Sequence, residues 1–214
     1  MRWIQLPWFY WLARTLWLGM AKIVHRLRID EARRVPREGG LVMAVNHISS
    51  LDPPMMGVSV PREISFMAKK ELFENRANAL LMRGLHAFPV DRDRNDVSAI
   101  KEALRRLKAG RAVGIFVQGT RSAGDAEALD GAAFLAQRAG VPLQPAAVWR
   151  EGWRYRVRFG EPFEVPGRDR QAIRAATATT MGRINALLPS GTNLPRGDAD
   201  AAEEPVERAS ERSR

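Results

Sequence analysis

From about residue 38 onward, short apolar runs alternate with stretches in which apolar positions recur every three or four residues, a pattern that predicts strands separated by helices. "GLVMAV" (residues 40–45) reads as a buried strand and "EISFMAK" (63–69) as a second. Val97, Ile100, Leu104 and Leu107 fall at helical spacing behind Asn95 and Asp96, and Gly110 sits where a left-handed C-cap would end that helix. "AVGIFV" (112–117) and "VPLQPAAVW" (141–149) bracket a helix near 126–139; "YRVRF" (155–159) alternates like a strand, and 169–188 is helical. The prolines of "GVPLQPAAV" (140–148) suit an edge or entrance strand. Together these elements predict an α/β fold, a mixed sheet flanked by helices. No internal repeat is present.

The first 28 residues follow another pattern. They are rich in Trp, Phe, Tyr and Leu, but Arg14 and Lys22 leave uncharged runs of only eleven residues (Trp3 to Ala13) and seven (Thr15 to Ala21). Both are short of the roughly 20 residues that span a bilayer. No small-residue cleavage site of a signal peptide follows. Trp3, Trp8, Trp11 and Trp17 beside basic residues suit an amphipathic helix lying in the headgroup region; the other reading is a helix that caps the domain's own core. The expected organisation is an N-terminal interfacial helical segment over 1–34, a globular domain over 35–189 and a tail over 190–214, which lacks apolar periodicity and is expected to be disordered.

Charge narrows the choice of partner. Thirty-four Lys and Arg stand against twenty-four Asp and Glu, a net +10, and residues 1–28 carry five bases and no acid. An anionic partner is implied, which a phospholipid surface, nucleic acid or a phosphorylated substrate would each satisfy. Nucleic acid fits poorly, because the aromatics gather at the apolar N-terminus instead of interleaving with bases on a strand face. With no cysteine, disulfides, thiolate metal sites and a cysteine nucleophile are excluded, and a cytosolic setting fits.

The chain has no GxxxxGK[ST], GxGxxG, HExxH or GxSxG, so nucleotide hydrolysis, dinucleotide redox, zinc peptidase and serine hydrolase chemistry lose support. What remains is "NHISSLD" (46–52). A neutral imidazole takes a proton from a hydroxyl near pH 7, and a carboxylate on its other nitrogen fixes the tautomer and stabilises the imidazolium. His47 and Asp52 are spaced to meet across a strand-to-helix loop; the same residues also read as a polar turn in which Asp52 caps a helix begun by Pro53 and Pro54. "GIFVQGTRSAG" (114–124) presents Arg121 at the C-terminal end of a strand, where open α/β sheets place ligands, and Arg92 of "FPVDR" (88–92) lies just past another. Each arginine suits a phosphate, and each also reads as a solvated charge.

In order and spacing these stretches resemble the 1-acyl-sn-glycerol-3-phosphate acyltransferase family of glycerolipid synthesis over about residues 35–165. That family carries NHx4D, then an "FPVDR"-like motif, then "FPEGTRS", then "VPIVPV". The chain matches Asn46, His47 and Asp52, and retains Phe88 to Arg92, Gly119 to Ser122, and Val141, Pro142 and Pro145. "DGAAFLAQRAGVP" is similar to the family's "KGAxxLAxxxGVP".

The resemblance implies that His47, oriented by Asp52, deprotonates the free hydroxyl of lysophosphatidic acid. The alkoxide then attacks an acyl-CoA or acyl carrier protein thioester to give phosphatidic acid. No acyl-enzyme, metal or other cofactor is implied, and Ser49 and Ser50 become loop or capping residues. Arg92, Gln118, Gly119, Thr120 and Arg121 are the implied substrate-binding residues, Gly119 letting the backbone approach the phosphate. The partners implied are the lysophospholipid, the thioester donor and an anionic membrane surface, with no nucleic acid; the place implied is the cytoplasmic face of the cell membrane, peripheral or monotopic.

Four positions depart from the family pattern. Val117 and Gln118 stand where proline and glutamate are usual, His86 replaces a glycine and Asp130 a lysine. Gln118 keeps an acceptor oxygen without the charge, which bears on the acceptor. His86 reads either as a filled packing slot or as a polar contact in the pocket. The rival functions are acylation of another lysolipid or polar hydroxyl, and a catalytically silent basic membrane-binding module.

Overall fold

Residues 41–46 are buried at every position, so a strand there needs cover on both faces. The computed structural model, which describes residues 7–91, 96–118, 123–167 and 169–190 (backbone alone at 7–9, 118 and 123–129), supplies it. The strand β2 (Leu41–His47) lies in the middle of a seven-stranded sheet with β1 (Arg28–Asp30), β3 (Ile64–Lys69), β4 (Phe88–Val90), β5 (Ala112–Gln118), β6 (Leu143–Glu151) and β7 (Arg154–Phe159). Their order is β1-β7-β6-β2-β5-β3-β4, and every pairing is parallel except the β6–β7 hairpin. The expected mixed sheet flanked by helices is therefore the observed fold.

The period of two along β2 divides the core. Leu41, Met43 and Val45 point to a layer made by α1 (Pro7–Val24) and α2 (Asp52–Ser59), together with Tyr155, Val157 and Phe159 of β7. Val42 and Ala44 point to the opposite layer, covered by α4 (Val97–Lys108), α5 (Ala123–Ala139) and α6 (Arg170–Leu187). A short α3 (Arg76–Gly84) lies between β3 and β4 in the chain. The helix expected behind Asp96 starts as the sequence predicts: its carboxylate accepts from Ser98 N and Ala99 N, and Gly110 follows the helix at φ 75°. With the Ser98 hydroxyl as the strongest contributor, these bonds hold the Asp96 carboxyl at about 2.

The strand expected at an edge or entrance of the sheet lies inside it, between β7 and β2. Pro145 is tolerated there because pairing with β7 begins only at Ala146↔Phe159. Leu143 N donates to Phe163 O and the Pro145 carbonyl accepts from Gly160 N, so strand alternation points the Pro145 nitrogen to the side where that ladder has ended. His86 fills a packing slot. It is buried, stacks on Tyr10 of α1 with ring centroids 4.6 Å apart, and holds φ at 62°, a backbone that suits the glycine usual at this position. Burial pushes its imidazole below the ordinary value, against the opposing pull of Glu63.

The two faces of the N-terminal helix differ. Tyr10, Arg14, Trp17 and Ala21 face the body of the domain. Arg14, one of the charges that interrupts the apolar opening, donates to the carbonyls of Val58 and Val60 at 2.9 Å each, capping the C-terminus of α2. On the other side Leu12, Leu16, Met20 and Ile23 make an outward stripe, with Leu16 66% and Ile23 79% exposed. Among the described residues no helix is long and apolar enough to cross a membrane.

Candidate active site

Parallel strands bring the C-terminal ends of β2, β5 and β3 to one edge of the sheet, the edge at which open α/β folds bind ligands. His47 is the last residue of β2 and continues its odd-numbered face, so the imidazole emerges on the side of α1 and α2. The residue before it acts as a clamp. The ladder between β2 and β6 ends at Val45↔Ala146, and beyond it the buried Asn46 amide donates to Val148 O and accepts from Val148 N, both at 2.7 Å. This side chain replaces the next rung of the sheet and fixes where β2 ends. An amide closing an apolar strand was the available signal for that role.

Asp52 is the first residue of α2 and is fully buried. It does not cap its own helix, as the polar-turn reading expected. Its carboxylate turns back over the loop, and a single oxygen, Oδ2, accepts from His47 Nδ1 at 2.8 Å, Ile48 N at 2.6 Å and Ser49 N at 2.8 Å. Because Oδ2 already takes two amide hydrogens it carries none of its own, so in the bond to His47 it is Nδ1 that holds the proton and donates. Nε2 is then left with its lone pair free for a substrate hydroxyl. Pro53 and Pro54 serve the first turn of α2 as expected, since neither amide hydrogen would have a helical partner. The Ser49 hydroxyl accepts from Leu51 N at 3.3 Å, a loop contact and not a nucleophile's arrangement.

A cavity of about 690 Å³ opens beside His47, walled mainly by apolar side chains of α1, α2, β3, α3 and the helical turn 70–73 between the last two. Trp17, Phe66, Leu72, Leu81 and Met82 are among them. Its size and apolar lining suit a flexible hydrocarbon ligand. His47 rests on Phe116 at 4.8 Å between ring centroids, and Phe116 stacks on Phe66 at 5.1 Å. Phe66 lies close against β5 because residue 114 is glycine: a Cβ there would fall 2.2 Å from the ring. A side chain at 114 would therefore collide with Phe66, which lines the cavity.

Cationic groups meet the same edge. Lys69 ends β3 and lines the cavity, and Lys70 pairs with Asp91 at 2.6 Å, just before the expected phosphate ligand Arg92. Arg92, Gly119, Thr120 and Arg121 lie outside the described residues. Gln118 is described by its backbone alone, which pairs in register with His47.

Comparison with known proteins bears on the chain as a whole. The model of the Acyltransferase family matches residues 26–149. A 1-acyl-sn-glycerol-3-phosphate acyltransferase of Bacillus subtilis is 34% identical over 177 residues, covering 75% of this chain and 87% of the relative. One of Streptococcus pneumoniae is 33% identical over 136 residues, 58% of this chain and 50% of the relative. The crystal structure of the 1-acyl-sn-glycerophosphate acyltransferase PlsC of Thermotoga maritima shares the fold with a TM-score of 0.63 and 19% identity, over 83% of this chain and 79% of that one.

Proposed function

Because the chain belongs to the acyltransferase family, we propose that it transfers an acyl group from a thioester to the free hydroxyl of lysophosphatidic acid, giving phosphatidic acid for phospholipid synthesis. The observation that carries the mechanism is the 2.8 Å bond between His47 Nδ1 and Asp52 Oδ2 at the mouth of an apolar cavity. Nε2 of His47 takes the hydroxyl proton as the acceptor oxygen attacks the thioester carbonyl. Asp52 stays ionised and stabilises the imidazolium. The tetrahedral intermediate then expels the thiolate, which recovers the proton from His47 and leaves as a thiol. The reaction balances with the two substrates alone and asks for no metal or cofactor. Arg92 and Arg121 hold the acceptor phosphate in this reading, with Gln118, Gly119 and Thr120 shaping the place beside it.

Purified protein supplied with acyl-CoA, or with charged acyl carrier protein, and a panel of lysolipids tests the proposal. Phosphatidic acid is the expected product, with lysophosphatidic acid the preferred acceptor. Preference for another lysolipid would move the assignment to that acceptor. Thioester consumption with none of them, alongside salt-sensitive vesicle binding, would favour the silent membrane-binding module.

The protein works, in the same proposal, as a peripheral or monotopic enzyme on the cytoplasmic face of an anionic membrane. The outward stripe of α1 supports this, since Leu12, Leu16, Met20 and Ile23 lie on one face of a helix whose inner face packs beside the cavity. Leu80 of α3, 70% exposed, adds to the apolar surface. Replacing Leu16 and Ile23 together by glutamate is expected to lower partitioning onto anionic vesicles by about 100-fold, two inserted aliphatic side chains contributing on the order of 1.5 kcal/mol each. Flotation with the double variant checks it; unchanged partitioning would mean that the stripe is not the membrane face.

A further inference from the structure

The Asp52 carboxylate is unevenly bonded. Oδ2 takes three donors, whereas Oδ1 is buried and has no hydrogen-bond partner among the described residues. A bare anionic oxygen in an interior is costly, so a donor is expected nearby. A second buried atom that makes no hydrogen bond of good geometry among the described residues is the hydroxyl of Tyr155, a residue with no exposed surface. β7 carries Tyr155 on the sheet face that His47 shares, and α2 packs against β7. The groups that act on the hydroxyl are the Ser49 side chain, the Asp52 carboxylate and the Arg150 guanidinium. Burial, the largest influence, pushes the phenol up, so it is a protonated donor at neutral pH.

The ring is held from several sides. His25, just beyond α1, meets it edge-on at 5.5 Å, the Arg150 guanidinium lies over it at 5.5 Å, and Tyr155 N donates to His25 O at 3.0 Å. We infer that Tyr155 is a positioning residue whose hydroxyl donates to Oδ1 of Asp52 and so holds the carboxylate that holds His47. The inference rests on the catalytic reading of His47 above. It also ties the end of α1 to the site, because the residue that steadies Asp52 is anchored on the backbone of His25.

Tyr155→Phe keeps the ring and removes the donor. Without it the His47–Asp52 pair holds its proton more tightly, because a hydrogen bond to the carboxylate favours the deprotonated pair. The expected result is a kcat about tenfold lower, KM for the two substrates within about twofold of wild type, and an acid limb of the pH profile moved up by roughly one unit. Should the variant not fold, 3-fluorotyrosine at position 155 decides the matter: its phenol is a stronger donor, and the acid limb moves to lower pH. An acid limb that stays in place in whichever form folds overturns the inference, whatever happens to kcat. His47→Ala assayed in parallel keeps the two readings apart. An active His47→Ala removes the pair and the inference with it; an inactive one beside an unmoved Tyr155 profile removes only the part given to Tyr155.

Discussion

Replacing His47 by alanine is expected to slow acyl transfer by about 10³-fold, the loss of a positioned general base, while the protein keeps its fold. The two effects separate because of how the residue sits. Its side chain is 19% exposed at the edge of the sheet, and its removal leaves Asp52 Oδ2 with the amides of Ile48 and Ser49 as donors. The stability cost is accordingly about 1 kcal/mol, one hydrogen bond and part of a ring contact. The alanine also opens a space beside Phe116 in which free imidazole fits, so added imidazole is expected to restore part of the rate. Turnover, denaturant midpoint and imidazole dependence check the three parts. A variant within a few-fold of wild type would mean that the acceptor hydroxyl is activated by some other group.

How much of this was legible beforehand depended on what kind of contact each residue makes. Strands buried on both faces announce themselves as apolar runs, and β2, β3, β5 and β6 all do. β1 does not: three residues, "RID", two of them charged, join the sheet only because β7 offers a parallel edge. The interior place of β6 was hidden for the opposite reason, since a proline ordinarily argues for an edge and only the end of the β7 ladder at Phe159 makes Pro145 acceptable.

Within the site, a five-residue spacing suggested that His47 and Asp52 meet, and they do. It could not show that the same oxygen gathers the loop's amides, because that depends on the path of the backbone between them. Arg14 was read as one of the bases of an interfacial segment, yet its guanidinium turns inward to the end of α2, a partner 44 residues away. Tyr155 was legible only as an inward position of an alternating strand. Its hydroxyl matters through what α2 brings to it, and that is a property of packing. The motif order carried the family where local chemistry left a polar turn open.

Changing Asp52 divides its catalytic and structural roles. In Asp52→Asn the amide oxygen can still accept from Ile48 N and Ser49 N, so the loop is expected to persist, but the negative charge that stabilises the imidazolium is gone and the preferred imidazole tautomer is no longer fixed. The rate is expected to fall by about 10²- to 10⁴-fold, the range set by general base catalysis and by tautomer control in comparable pairs. Asp52→Ala loses the acceptor as well. Two amides and the imidazole N–H are then left without it, at a fully buried position, and the cost in stability is about 2 to 4 kcal/mol beyond that of the asparagine variant. Rates of the two variants should be similar and their denaturant midpoints clearly different. Equal midpoints would mean that the "NHISSLD" turn holds its shape without the carboxylate. Because His47 and Asp52 act as one unit, His47→Ala combined with Asp52→Asn is expected to be no slower than His47→Ala alone. A multiplicative loss in that double variant would give Asp52 a role in turnover that does not pass through the imidazole.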